Sequence, residues 1–513
     1  MREYPLLIAG RDEPGVAWNH AVRASAFLTD FTGSLALKGR ADAGEDVGPD
    51  HRLIARCAVA GQEEEARAVQ AARRSATEFG RSSLEDRLAL VHDIAAAFEA
   101  RAEELLEILV AEGHPRTLAL WEIDGCFAGM SPAMLEWNAS MLHQALPGGI
   151  ALTRKADGVV CVQPPQNAAA SNSCLGILAL LAGNALVVNA PRATPTGVMF
   201  VYREIVAPVL ARHGAPQGVL NVTSGPAQRV VDGWIASDSV DTILFFGDTA
   251  RGLAIGSRAY QRGKKTILEL SGNDVFVVWE DADLERAAWT LTEAYSGSGQ
   301  ICMVPKVAIV HPACADDFLD LHLQAVGKIR PGLPEDPTTI LSPVRKLNRF
   351  EEFVHDARRA GGSILCGGET VDLHGAPSPS GPFAEPTLVR FDGWDGARDS
   401  LCVKEEAFFP LLPVIVPSPG PDAELEKIIE FVNANRFGLR CSLWARDATV
   451  IDTFTRGVMN AGQIKVNRSH IGFEPSLATH GGPSGTGGPF GELNNVALRT
   501  SHLQGISIGS WEE

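Results

Sequence analysis

The sequence predicts an α/β protein built from two parallel-sheet domains. Three observations carry that reading. Between Lys155 and Ser271, charge-poor apolar runs alternate with helical segments of ten or more residues. The strands are GVVCVQ (158–163), ALVVNA (185–190), VLNVTS (219–224), TILFFG (242–247) and TILEL (266–270), and the helices fall near 171–182, 196–213, 227–236 and 249–261. A second series of the same kind runs from Val275 to about Val466, with strands KVAIV, SILCG, LLPVIV, RCSLWA and GQIKV. Between the two, Ser271-Gly272 breaks an otherwise apolar stretch. Apolar strands separated by helices form parallel sheets covered on both faces. Ligands of such sheets gather at the strand C-termini, beside helix N-termini.

In chain order, the first sixty residues mix Gly, Pro and short apolar pieces and read as a strand-rich arm. From Gln62 the pattern turns helical. EEEARAVQAARRSATEFG predicts an amphipathic helix ending at Gly80, and Ser82 with Glu85 gives a capping-box signal for helix that continues to about Glu112. Pro115 and Gly125 punctuate the next stretch, and Met130 to Leu146 reads as another helix. In the second half, helices are expected near 284–295, 315–328, 343–360, 423–435 and 448–459, the last with Asp447 as N-cap. The tail changes character: HGGPSGTGGPFGE is a glycine-rich loop, and HLQGISI after it is a short strand.

Composition narrows the function. A chain of 513 residues with 45% hydrophobic content has ample core for several domains. A net charge of −17 with no basic block disfavours nucleic acid or an anionic membrane as partner. The nine cysteines are scattered, odd in number and without CxxC spacing, which fits a reducing, cytoplasmic setting better than a disulfide scaffold or a structural zinc site. The N-terminus lacks a signal-peptide pattern. The longest charge-free stretch, Gly158 to Pro191, is broken by Pro164-Pro165, Gln166 and several asparagines, and is too polar to span a bilayer.

Three residues are candidates for chemistry. Cys302 follows Ser296-Gly297-Ser298-Gly299-Gln300, a turn whose backbone can approach a ligand closely and whose amides can receive an anion; the alternative is a small buried hydrophobe. Glu269 closes an apolar strand, either as a structural ion pair with Lys264 or Lys265 or as a general base raised by its apolar setting. Asn167 follows a strand, either as a turn residue or as an amide donor to a developing oxyanion. The GDTARG turn (247–252) joins a strand to a helix and suits either a phosphate or an ordinary connection. EDADLE (280–285) reads as helix-capping acid. His470 and His480 are too isolated to argue a metal, and none is expected.

Together these motifs resemble the aldehyde dehydrogenase superfamily over nearly the whole chain. LELSGND is similar to its LELGGN motif around the general base, Glu269; GQIC to the motif around its nucleophile, Cys302; and PPQN to its PWN, which carries the oxyanion-donor asparagine, Asn167. EEAFFPLLPV (405–414) and NRFGLRCSLWARD (435–447) resemble two further family stretches. The resemblance implies two Rossmann-like domains, one for cofactor (1–124 and 150–268) and one catalytic (269–472). It adds a small β bridging segment from 125–149 and 473–513, in a homodimer or homotetramer. It implies oxidation of a small-molecule aldehyde to an acid through a Cys302 thiohemiacetal and thioester, hydrolysed by water that Glu269 activates. It places Pro165, Gln166, Asn189, Arg192, Gly225, Gly247, Asp248, Leu270, Glu406 and Phe408 at an NAD or NADP site. Pocket residues are expected among Met130, Trp137, Met303, Phe473 and His480.

Departures from the family pattern cluster at the cofactor. KPAEQTP reads NAPRATP here, so Asn189 replaces a ribose-binding lysine and Arg192 a ribose-binding glutamate. Losing an acid and gaining a guanidinium favours the 2′-phosphate of NADP. Asp248 replaces a serine near the pyrophosphate, where it would repel phosphate unless it turns away or Arg251 neutralises it, and Phe409 replaces a glycine. The runner-up is an enzyme that passes the thioester to coenzyme A, against which the presence of Glu269 argues. A catalytically silent member of the fold is the remaining alternative.

Overall fold

A computed structural model describes residues 1–509. The last four residues of the expected bridging segment, 510–513, lie outside the described residues. Two seven-stranded sheets dominate. The first runs Lys265–Glu269, Thr242–Phe246, Val159–Gln163, Ala185–Ala190, Leu220–Ser224, then the hairpin Leu6–Ile8 and Arg11–Glu13. Its first five strands are mutually parallel, and the hairpin adds antiparallel. All five side chains of Thr242–Phe246 are buried, as a strand covered on both faces requires.

The second sheet runs Ser363–Cys366, Thr387–Asp392, Leu411–Val416, Pro305–Val310, Asp274–Val278, Arg440–Trp444 and Gln463–Val466. All its pairs are parallel except the edge strand Ser363–Cys366. Thr387–Asp392 is not among the strands that the apolar pattern predicts. Arg390 and Asp392 interrupt that pattern, and Arg390 pairs with both Asp392 and Asp316.

Several expectations are corrected. The N-terminal arm carries two helices, Ala24–Thr29 and Phe31–Asp42, besides its strands. The cap of the helix Leu84–Ala100 is Ser83, which accepts from the Asp86 amide, whereas Ser82 bonds back to the Phe79 carbonyl. The helix expected over 130–146 ends at Leu142, and His143–Leu146 instead pairs with Ile150–Ala156. Ile150–Ala156 in turn pairs with Ser501–Ser507, forming a separate three-stranded sheet. The hairpin through Gly148-Gly149 sends the strand Ile150–Ala156 to the tail and not to the first sheet. Asp283 and Asp447 cap their helices as expected of acidic residues there. Asp281 accepts from the Arg446 and Asp447 amides. Among the described residues, no helix is long and apolar enough to cross a membrane.

Candidate active site

The site is built from a strand end of the first sheet and from turns that flank strands of both sheets. Glu269 is the last residue of Lys265–Glu269, in register with Phe246 on the neighbouring strand. Its side chain is 5% exposed and accepts a hydrogen bond from Asn494 Nδ2 at 2.8 Å. Burial pushes its carboxyl up to about 8; the Asn494 bond and the more distant charges of Arg499 and Arg440 pull the other way. The ion pairs considered from sequence do not form. Lys264 donates to the Ser237 and Val240 carbonyls, and Lys265 pairs with Asp157.

Cys302 follows a tight turn that the sequence makes possible only with small residues. Gly297, Ser298 and Gly299 all take left-handed conformations, with φ of 56°, 58° and 67°. A Cβ at Gly299 would come within 2.6 Å of the Phe409 carbonyl oxygen. Across the site, a Cβ at Gly272 would meet the Cys302 carbonyl oxygen at 2.4 Å, so that residue too must be small. Asn167 Nδ2 donates to the Gln300 carbonyl at 2.9 Å, which locks the asparagine to the turn and leaves its second amide proton for another acceptor. Burial pushes the Cys302 thiol up to about 12, reinforced by Glu406, Asp274 and Glu269 and opposed by Lys306.

Two cavities converge here. A cleft of about 780 Å³ lies over the C-terminal ends of the first sheet, bordered by Glu269, Gly247, Arg192 and Phe408. A narrower pocket of about 50 Å³, walled by Trp121, Met130 and Phe473, reaches the same residues. Asn167 and Cys302 border both. Ligands in the two cavities would therefore meet at one thiol.

A family model described as "Aldehyde dehydrogenase family" matches residues 44–497. The chain belongs to the aldehyde dehydrogenase family. It is thereby a nicotinamide-dependent aldehyde oxidoreductase. It is 30% identical over 451 residues to benzaldehyde dehydrogenase [NAD(+)] of Pseudomonas putida, covering 84% of this chain and 86% of that one. Over 302 residues, 58% of this chain and 61% of the other, it is 31% identical to succinate-semialdehyde dehydrogenase [NADP(+)] 1 of Mycobacterium tuberculosis. A solved NAD-dependent aldehyde dehydrogenase from Sinorhizobium meliloti superposes with a TM-score of 0.82 at 22% identity, over 99% of this chain and 95% of that one, and so shares the fold.

In this aldehyde dehydrogenase the cleft has the size of a cofactor site. Pro165, Gln166, Arg192, Gly225, Gly247, Asp248, Leu270, Glu406 and Phe408 all border it. Asn189, also expected there, does not border it. It is fully buried, its amide donating to Gln163 Oε1 at 2.8 Å and to the Gly225 carbonyl at 3.2 Å while its oxygen accepts from the Gly225 amide at 2.8 Å. A short amide in place of a long lysine cannot reach the cleft, and it ties two strand ends together instead. Arg192 is exposed at the cleft wall. Asp248 turns its carboxylate onto its own helix, accepting from the Arg251 amide at 2.9 Å. The Arg251 guanidinium lies 5.8 Å over the Phe245 ring, and no Asp248–Arg251 ion pair is present among the described residues. Phe409 is 3% exposed and packs edge-on against Phe350 and Phe353, in the core of the second domain.

Two site residues carry little signal in the sequence. Lys306 is buried on the strand Pro305–Val310, with Nζ donating to the Gly299 carbonyl at 2.6 Å and the Ala407 carbonyl at 2.8 Å. It thus ties the cysteine turn to the loop bearing Glu406, whose Oε1 accepts from the Gly272 amide at 3.2 Å. A lone lysine in the apolar run MVPKVAIV is the one sign of it. Asn494, the partner of Glu269, has none. Trp137, expected in the pocket, lies on the helix Pro132–Leu142 and does not border it.

Proposed function

We propose that the enzyme oxidises an apolar, aryl-type aldehyde to its acid through a covalent Cys302 intermediate, with water as the final acyl acceptor. The observation that carries this reading is the convergence of a cofactor-sized cleft and an aromatic-walled pocket on Cys302 and Asn167, with Glu269 at the cleft floor. Similarity to benzaldehyde dehydrogenase [NAD(+)] of Pseudomonas putida supports the aryl class.

Each residue has its own task. The Cys302 sulfur attacks the aldehyde carbon, forming an S–C bond and an alkoxide, and its thiol proton leaves to a base. The free amide proton of Asn167 and the Cys302 backbone amide stabilise the alkoxide. A nicotinamide cofactor held in the cleft would supply the hydride acceptor for this step, which leaves the acyl group on Cys302 as a thioester. The Glu269 carboxylate then takes a proton from water, which attacks the thioester and restores the thiol. Gly225, Gly247 and the backbone of the 164–166 turn would hold the dinucleotide, with Arg192 facing its ribose end.

A panel of alkyl and aryl aldehydes, run with NAD and with NADP and with or without coenzyme A, tests the reading. Aryl aldehydes will give free acid and reduced cofactor whether or not coenzyme A is added. Acyl-coenzyme A in place of acid would overturn the choice of acceptor, and no reduction by any aldehyde would overturn the function.

Arg192 favours NADP by offering a bidentate partner to a 2′-phosphate. Arg192→Glu will lower kcat/KM for NADP relative to NAD by roughly tenfold or more, the scale expected for losing a charge-assisted phosphate contact and adding a repulsion. An unchanged ratio removes NADP as the preferred cofactor.

A further inference from the structure

The substrate pocket is lined mainly by apolar side chains, with Asn167, Asn172, Thr479 and His480 among its polar ones, and at one place a buried acid lies behind a wall hydroxyl. Glu122, on the helix Arg116–Gly129, is 1% exposed and borders the pocket. One carboxylate oxygen lies 2.5 Å from His114 Nδ1, and the other accepts from Ser171 Oγ at 2.7 Å. His114 is itself buried, and although burial disfavours its charge, the Glu122 carboxylate holds its pKa above the usual imidazole value. The acid thus lies between an imidazole on one side and a hydroxyl on the other.

Ser171 is the member of this chain that is half-buried and open to the pocket. A serine hydroxyl has one proton and two lone pairs. Here the proton is committed to Glu122, since its other acceptor, the Ala168 carbonyl, is 3.4 Å away. What Ser171 offers the pocket is therefore lone pairs, on an oxygen polarised by donation to a carboxylate. A purely apolar ligand would strip water from that oxygen without replacing the hydrogen bond, and an acceptor-only substituent would face it lone pair to lone pair. A hydroxyl on the ligand satisfies it. The surrounding wall is flat and aromatic: Trp121 and Phe473 stack with centroids 5.2 Å apart and planes at 26°.

We propose that Ser171, oriented by Glu122, is the specificity-determining residue of this pocket and selects aromatic aldehydes that carry a ring hydroxyl. The proposal rests on the dehydrogenase reading above and deepens it to a substrate class.

The test compares 3- and 4-hydroxybenzaldehyde with their methyl ethers and with benzaldehyde. The ethers keep the ring oxygen but cannot donate, and benzaldehyde controls for size. At least one hydroxy isomer will exceed both its ether and benzaldehyde in kcat/KM by roughly tenfold or more, the scale on which a site built to bond a hydroxyl rejects analogues lacking the donor. In Ser171→Ala that ratio will fall to near one, whatever the absolute rate, and Ser171→Thr, which keeps the hydroxyl, will retain part of it. Equal rates for hydroxy and methoxy substrates in the native enzyme, or a preference that survives in Ser171→Ala, would overturn the proposal. Equal native rates overturn the proposal even if Ser171→Ala folds poorly, and in that case the part of the ratio kept by Ser171→Thr carries the positive test. Failure of all five aldehydes to reduce either cofactor would be a different result, and would count against the dehydrogenase reading itself.

Discussion

Replacing Cys302 with alanine will lower kcat by roughly 10⁴-fold or more, because the covalent route disappears with the sulfur. The same change will leave the fold intact. Cys302 keeps some exposure at the cleft floor and contributes one atom to a small cluster around Ile301, Met303 and Val304, so stability will move by no more than about 1 kcal/mol. Two further thiols, Cys126 and Cys174, border the same pocket and are the natural rivals for the role. Neither sits in a turn of left-handed residues, and both are 5% exposed. The Cys126 thiol is held well above its usual range by its neighbour Cys174 and by burial. Cys126→Ala and Cys174→Ala will therefore keep activity within a few fold. Steady-state rates of the three variants, with thermal melts alongside, check this. An active Cys302→Ala, or an inactive Cys126→Ala that melts normally, would sink the assignment.

Local features are the ones legible in the sequence. The strand Ala185–Ala190 and the helices Ala227–Ala236 and Thr249–Gln261 have the bounds that apolar runs and turn residues indicate, because burial on both faces leaves a continuous apolar signature. Glu269, Cys302 and Asn167 stand out because each sits in a short motif at a strand end or turn. Relations that depend on distant segments are hidden. Asn189 looks like a cofactor residue because its neighbours do, yet its amide is used by Gly225, 36 positions later. Glu269 is held by Asn494, 225 positions later, from a loop that reads only as glycine-rich. Ile150–Ala156 carries Arg154 and Lys155, and its sequence does not reveal its domain because its partner is the tail. The GDTARG motif likewise does not reveal that the Asp248 carboxylate turns back to cap the helix Thr249–Gln261.

The pH dependence of turnover separates the two halves of the proposed reaction. A base must be ionised to work, and burial holds the Glu269 carboxyl up to about 8, so most of it is protonated at neutral pH. Turnover of the native enzyme will therefore rise with pH to a plateau above a limb near 8. In Glu269→Gln that limb will vanish and steady-state turnover will fall roughly 10²- to 10⁴-fold, the usual contribution of a positioned base. One rapid equivalent of reduced cofactor should still appear, with the acyl group trapped on Cys302 and visible as added mass, since the lost step comes after the thioester. Stability moves in the opposite sense. The folded state keeps the Glu269 proton to higher pH than the unfolded chain does, so between the ordinary carboxyl value and about 8 this residue costs the native enzyme more stability as pH rises. Glu269→Gln removes that cost, and its melting temperature will gain on the native enzyme as pH climbs from 5 to 8, by the equivalent of a few kcal/mol (roughly) at the upper end. A variant that loses the burst together with turnover would assign Glu269 to the attack of the thiol, and a native profile flat from pH 6 to 9 would remove it as the base.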